Sequence, residues 1–227
     1  MERILEPITD ARKLHYDREG YVLVRKLIPE DVLKCAETAI HRVIRDHAED
    51  TTQSERHHLL QAPAPEPELI AIFNRKFREM AAQLTGEDPE TFVIPRNPWA
   101  LIVFPHGKEW QWPEAHVDHA LKEDNFRIFP PPFRIASISY LTDVPPHGGG
   151  TVVWPRSHKT LANFVKKNRK NYRYMSDLNA NLHKIPLNPP IELRPSRGDV
   201  LFYHYLCAHS AGMNVSGVIR LALGKKW

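Results

Sequence analysis

Cysteine is almost absent from this chain: 227 residues contain two, Cys35 and Cys207, far apart and outside any CxxC or CxxH cluster. That argues against a disulfide framework and against a cysteine-rich zinc site, and makes a reducing compartment the expectation. Long apolar runs are missing as well. No stretch approaches the ~20 apolar residues a membrane helix needs. The opening "MERILEPITD" is charged and lacks the apolar run of a secretory signal. A soluble, cytoplasmic protein with no membrane partner is expected. Charge of one sign is in small excess, a formal +4 from 31 basic and 27 acidic residues. Much of it lies in "KKNRKNYRY", residues 166–174, which a solvated face explains better than a nucleic-acid patch, because no nucleic-acid motif accompanies it. There is no glycine-rich phosphate loop and no strand–helix alternation of a dinucleotide fold.

What the chain does have is histidine, thirteen of them and scattered, so a metal site must be assembled from distant segments. The first ninety residues read mainly as helices. "PEDVLKCAETAIHRVIRDHAED" places Val32, Leu33, Ala36, Ala39, Ile40, Val43 and Ile44 on one face of a helix. "PEPELIAIFNRKFREMAAQLTG" reads as a second amphipathic helix closed by Gly86. "GYVLVRKLI" alternates like a short strand, and "TTQSERHHLLQAPAP" reads as a polar loop in which His57 and His58 are solvated. From position 91 onward prolines and glycines separate short β-rich runs: "WALIVFP", "RIASISYLTDV", "GTVVWP", "IELRP", "GDVLFYHYLCAHS" and "VIRLAL". Such runs indicate an antiparallel sandwich or barrel. The length fits one domain, residues 1–227, with a helical layer over 1–90 and a β core over 91–227.

Chemistry concentrates in "HVDH", residues 116–119. In extended chain, residues i and i+2 share a face, so His116 and Asp118 present an imidazole and a carboxylate together while His119 points away. Two ligands need a third, and His209, ending the run "GDVLFYHYLCAHSAG", is the best candidate. Two histidines and a carboxylate on one side of a metal make the facial triad of non-haem Fe(II) oxygenases. A lone His-x-Asp is weak evidence, but Arg220 lies inside the apolar run "VIRLAL". A buried guanidinium needs an anion, either an internal carboxylate or that of a cosubstrate. Alternation groups Arg220 with Ala222 and Gly224, small residues that suit a cavity.

"HVDH", "GGGTVVWPRSHK", "RGDVLFYHYLCAHSAG" and "VIRLAL" together resemble the phytanoyl-CoA dioxygenase-like branch of the Fe(II)/2-oxoglutarate oxygenases, over residues 95–224. The resemblance implies a mainly β fold with flanking helices, a double-stranded β-helix or cupin-like jelly roll. It implies His116, Asp118 and His209 as ligands of catalytic Fe(II) and Arg220 as the partner of the far carboxylate of 2-oxoglutarate, with dioxygen as the third reactant. Some relatives carry a hydroxyl two residues after the distal histidine. Here Ala211 stands there, with Ser210 beside it. Some carry a tryptophan where this chain has Ile138, so Thr151 is a further candidate for contact with the cosubstrate. The implied reaction is decarboxylation of 2-oxoglutarate to succinate and carbon dioxide, coupled to hydroxylation of a C–H bond. The retained carboxylate of Asp118 favours that outcome, since halogenating relatives lack it. Candidate contacts for a small-molecule substrate are Arg127 and Arg134, flanking the proline-rich "RIFPPPFR", and Trp112. Lys108 joins the arginines if the substrate is anionic. His106 and His147 are weaker candidates, and His158 and His204 read as structural. The rival readings are a cupin-like metal protein without 2-oxoglutarate and a binding module with a vestigial site. Arg220 argues against the first and the intact residue set against the second.

Overall fold

The computed structural model describes residues 10–55, 57–118 and 127–227. The chain opens with helix α1 (Asp10–Glu19), strand β1 (Tyr21–Val24) and helix α2 (Glu30–Asp46). Strands β2 (Thr52–Gln53) and β3 (His58–Pro63) follow, then the short α3 (Pro67–Ile70) and α4 (Arg75–Thr85). The second half contains β4 (Trp99–Val103), β5 (Ala136–Tyr140), β6 (Thr151–Val153), α5 (Ser157–Lys167), α6 (Met175–Ala180), β7 (Ile191–Glu192), β8 (Val200–Tyr203), β9 (His209–Ala211) and β10 (Arg220–Lys226). No helix among the described residues is long and apolar enough to cross a membrane.

Seven strands form one antiparallel sheet in the order β1-β8-β5-β10-β4-β3-β2, and three form a second in the order β7-β6-β9. Strand alternation sorts the large sheet into two faces. One face carries Val22, Val24, Val200, Phe202, Leu221, Leu223, Ala100 and Ile102, buried against α2 and α4 through Leu33, Ile40, Phe77 and Met80. The other carries Leu201, Tyr203, Ala136, Ile138, Tyr140 and Ala222, which meet Val152 and Val153 of the small sheet. This is a jelly-roll core with flanking helices, as expected, α2 and α4 packing on one side and α5 and α6 contributing Leu161, Val165, Met175 and Leu178 to the core on the other.

Three local expectations need correction. The second predicted helix is interrupted: α3 passes into a 3-10 turn at Ala71–Phe73, and Asn74 then starts α4 as an N-cap, its side chain accepting from the Phe77 N–H. Only the later part is one helix, and it closes on left-handed Gly86 as predicted. The supposed loop 51–65 contains β3, which pairs with β4 from Leu59↔Val103 to Pro63↔Trp99. Its apolar side chains are few because just one face, with Leu60 and Ala62, is buried. Finally, "GDVLFYHYLCAHS" is two strands in different sheets. β8 ends at Tyr203, a turn follows, and β9 starts at His209. A continuous apolar run hides such a crossing because its residues are buried on both sides of the turn.

Candidate metal and cosubstrate site

His116, Asp118 and His209 converge: one ligand-capable atom from each lies within 4.8 Å of the others. His209 opens β9, and His116 forms an isolated bridge with it, the two backbones exchanging N–H···O contacts of 3.0 and 2.9 Å. The imidazoles therefore stand side by side, ring centroids 4.6 Å apart. Asp118 reaches the same point from two residues along, with Oδ1 3.9 Å from His209 Nε2. The expected i, i+2 geometry is present, although only His116 lies in a bridge rather than a full strand. His119 falls outside the described residues.

The His209 and Asp118 side chains, and the backbone between His116 and Asp118, are held by partners that set their orientation. His209 Nδ1 lies 2.9 Å from the Cys207 carbonyl, which makes Nδ1 the protonated nitrogen and leaves Nε2 with its lone pair toward the cluster. Val117, between His116 and Asp118, is clamped by Asn179 of α6: its N–H donates to Oδ1 and its carbonyl accepts from Nδ2, both at 2.8 Å. Asp118 accepts from Tyr203 Oη at 3.0 Å and from Lys226 Nζ at 2.9 Å. Burial pushes the Asp118 carboxyl up, but His209, Lys226 and His116 outweigh it and hold it below the usual range. Burial first, and then the Asp118 charge, push the Tyr203 phenol well above its ordinary value, so it remains a donor.

Arg220, at the start of β10, is 4 % exposed. Its Nε and Nη1 donate to the carbonyls of Gly149 and Leu101 at 3.0 and 3.1 Å. No carboxylate among the described residues pairs with it. Burial pulls its pKa down, opposed by Tyr140. Tyr140 lies opposite Ala222 on the same sheet face, and its hydroxyl is 2.7 Å from Thr151 Oγ1. A buried guanidinium with only neutral acceptors, beside two hydroxyls, is a site that fits a carboxylate. The "GGG" turn closes around it. Gly149 has φ +80°, and a Cβ on Gly150 would sit 2.2 Å from the Leu193 carbonyl. Glycine is what lets this backbone bring the Gly149 carbonyl to Arg220.

The other sequence candidates are spread out. Ile138 and Thr151 are buried, Thr151 beside Tyr140 as described. Ser210 is buried too, but alternation puts it on the opposite face of β9 from His209. The Arg134 guanidinium is engaged with Glu87 and Thr91 and lies 4.2 Å over the Phe92 ring. Arg127 is exposed and bridges Tyr174. Trp112 is exposed, edge-on to Trp110, which stacks on His147. Lys108 is exposed, and the His106 ring contacts the Ser54 carbonyl. His158 contacts the Asp17 carbonyl, and His204 sits in the turn between β8 and β9 rather than on a strand face. Sequence reasoning missed Tyr140, Tyr203, Lys226 and Asn179. Lys226 had a legible signal, since it shares the strand parity of Arg220, Ala222 and Gly224. Asn179 had none.

The geometry agrees with what the chain resembles. Among solved structures, the carbocyclase SnoK from nogalamycin biosynthesis, described as non-heme and alpha ketoglutarate dependent, matches with TM-score 0.65 at 20% identity, over 96% of this chain and 82% of SnoK. The epimerase SnoN, solved with Fe3+, alpha ketoglutarate and nogalamycin RO, matches with TM-score 0.61 at 18% identity, over 95% and 81%. EctD from S. alaskensis with bound Fe matches with TM-score 0.63 at 17% identity, over 96% and 75%. At these identities the likeness is one of fold. Among curated proteins, none matches this sequence. The family model described as phytanoyl-CoA dioxygenase (PhyH) matches residues 16–222, and with nearly the whole chain inside that match, this protein belongs to the phytanoyl-CoA dioxygenase family.

Proposed function

We propose that this protein is an Fe(II)- and 2-oxoglutarate-dependent dioxygenase that oxidises a C–H bond of a small-molecule metabolite, with hydroxylation as the outcome. The observation that carries the reading is Arg220, buried and without an acidic partner among the described residues, on the sheet whose inner face also holds the contacts of Asp118. A metalloprotein with no anionic cosubstrate would have no use for that cation. His116, Asp118 and His209 would hold the iron: two neutral imidazole nitrogens and one carboxylate suit Fe(II) and leave one side of it open. Arg220, with Tyr140 and Thr151 beside it, would receive the far carboxylate of 2-oxoglutarate. When bound, iron and 2-oxoglutarate together supply the activation of dioxygen, with succinate and carbon dioxide released.

The chain's own residues do the rest. The Cys207 carbonyl fixes the tautomer of His209, Asn179 fixes the backbone between the other two ligands, and Arg220 orients the cosubstrate. Burial of Ile138, Tyr140, Leu201 and Ala222 keeps water from the inner face. SnoK and SnoN, described as a carbocyclase and an epimerase, mark ring closure and inversion as the competing outcomes for a chain of this fold. Free Cys35 and Cys207 suit the reducing cytoplasm expected for the protein.

The test is an anaerobic titration of Fe(II)-loaded protein with 2-oxoglutarate, followed by its visible charge-transfer absorption. The parent is expected to develop the band. His209→Ala should lose it, and Arg220→Met should need on the order of a hundredfold more 2-oxoglutarate, the scale of breaking a charge-assisted bidentate contact. Tight metal binding without a band in the parent would overturn the reading.

A further inference from the structure

The two oxygens of Asp118 are in different surroundings. Oδ1 faces the cluster, 3.9 Å from His209 Nε2, and also meets Lys226 Nζ at 2.9 Å. Oδ2 accepts the Tyr203 hydroxyl at 3.0 Å. The sheet register explains how both donors arrive. Ala136 of β5 pairs with Tyr203 of β8 on one side and with Lys226 of β10 on the other. The three residues form a row across the inner face, and the methyl group at its centre leaves room for the longer side chains to converge on Asp118. Tyr203 is itself buried, and its ring lies 4.5 Å from that of His209. It therefore touches both a carboxylate and an imidazole of the triad.

A carboxylate can ligate a metal through one oxygen or two. For the reaction proposed above, the difference matters, because a second carboxylate oxygen would take a position that 2-oxoglutarate or dioxygen needs. We propose that Tyr203 is a positioning residue that restricts Asp118 to ligation through Oδ1 by keeping Oδ2 in a hydrogen bond. Turning Oδ2 toward a metal would strip the Tyr203 hydroxyl of its partner inside a buried site, which is strongly disfavoured. Lys226, meeting Oδ1 from the opposite side of Ala136, fixes the tilt of the carboxylate plane. The inference rests on the iron and 2-oxoglutarate reading of this site.

The test compares the parent with Tyr203→Phe, which keeps the ring against His209 and removes only the hydroxyl. Three quantities are measured without oxygen: the Co(II) dissociation constant, the visible absorption of the Co(II)-loaded protein, and the 2-oxoglutarate dissociation constant of the Fe(II)-loaded protein. The expected result is Co(II) binding as tight as in the parent or tighter, weaker Co(II) absorption as the coordination number rises, and 2-oxoglutarate binding weakened on the order of tenfold. A merely structural hydroxyl would weaken both constants in parallel with a fall in Tm. That result, or constants within twofold of the parent with identical Co(II) spectra, would overturn the proposal. If the parent binds metal but no 2-oxoglutarate, the cosubstrate reading fails by itself. The Co(II) spectra then decide the role of Tyr203: a loss of intensity in the variant supports it, and identical spectra overturn it.

Discussion

The large sheet buries two faces, and they are built on different terms. Toward the helices it packs mostly aliphatic residues and phenylalanines, such as Leu33, Ile40, Phe73, Phe77 and Phe202, with Ser137 and Ser139 of β5 as buried polar exceptions. Toward the small sheet the same strands present Tyr140, Tyr203, Ala136 and Ala222, beside buried Thr151, His209 and Arg220. One face draws its stability mainly from apolar burial, its few polar groups being the two small serine hydroxyls. The other gives up part of that gain, holding small residues where space is needed and donors or charges where a ligand would contact them. A single sheet thus separates stability from function by strand parity: odd and even residues of β5, β8 and β10 serve different ends.

That division can be broken from either side. The largest effect belongs to the helix-side core. Phe77, fully buried between Phe73, Phe202 and Trp227, should cost about 3–5 kcal/mol of stability when changed to Ala. Denaturant unfolding reads this, while the 2-oxoglutarate affinity of the folded protein should stay within about twofold of the parent. Parallel loss of affinity would show that the two faces are coupled.

A smaller effect, and one of different kind, is expected at the rim of the inner core. Burial first, and then neighbouring His158, push His204 down from 6.5 to about 4. The unfolded chain therefore binds a proton that the folded protein refuses. Stability is fully present above pH 6.5, falls as pH drops from there toward 4, and loses no more to this group below that. The loss amounts to at most about 3 kcal/mol. The buried residues of the helix-side core carry no group that titrates in this window, so His204→Gln should flatten the pH dependence of unfolding there. An unchanged slope would place the titration elsewhere. The smallest effect on stability should come from Arg220→Met. Replacing a buried cation by an apolar side chain of similar length is expected to change unfolding by about 1 kcal/mol or less, in either direction, even though it removes the proposed cosubstrate contact. A large loss of stability would instead make Arg220 a structural element of the core.

Much of this arrangement could be read from local pattern. The α2 stripe, the turn-punctuated β half, and His116 with Asp118 two apart were all visible, because helix and strand periods belong to short stretches of chain. Arg220 stood out for a similar reason, as a charge in an apolar run. The misreadings share a cause. β3 was taken for loop because an edge region with prolines carries few apolar residues. The run from Val200 to His209 was taken for one strand because burial continues through its turn. Nothing in "DLNANLHK" distinguishes Asn179 from any other helix-end asparagine. Its role exists only because α6 packs behind Val117.

The sequence was enough to single out His116, Asp118, His209 and Arg220 as candidates for the chemistry and to indicate the jelly-roll class that holds them. Those follow from residue type and local periodicity, and from a family pattern in which order and spacing are retained. The tertiary structure alone decided which oxygen of Asp118 meets which donor, and it turned Tyr203, Ala136 and Lys226 into a single row. Tyr203 and Asp118 are 85 positions apart in the chain. Their contact depends on the register of three paired strands and on a turn that carries the chain from one sheet to the other. Register is a property of the paired sheet, and no single strand contains it.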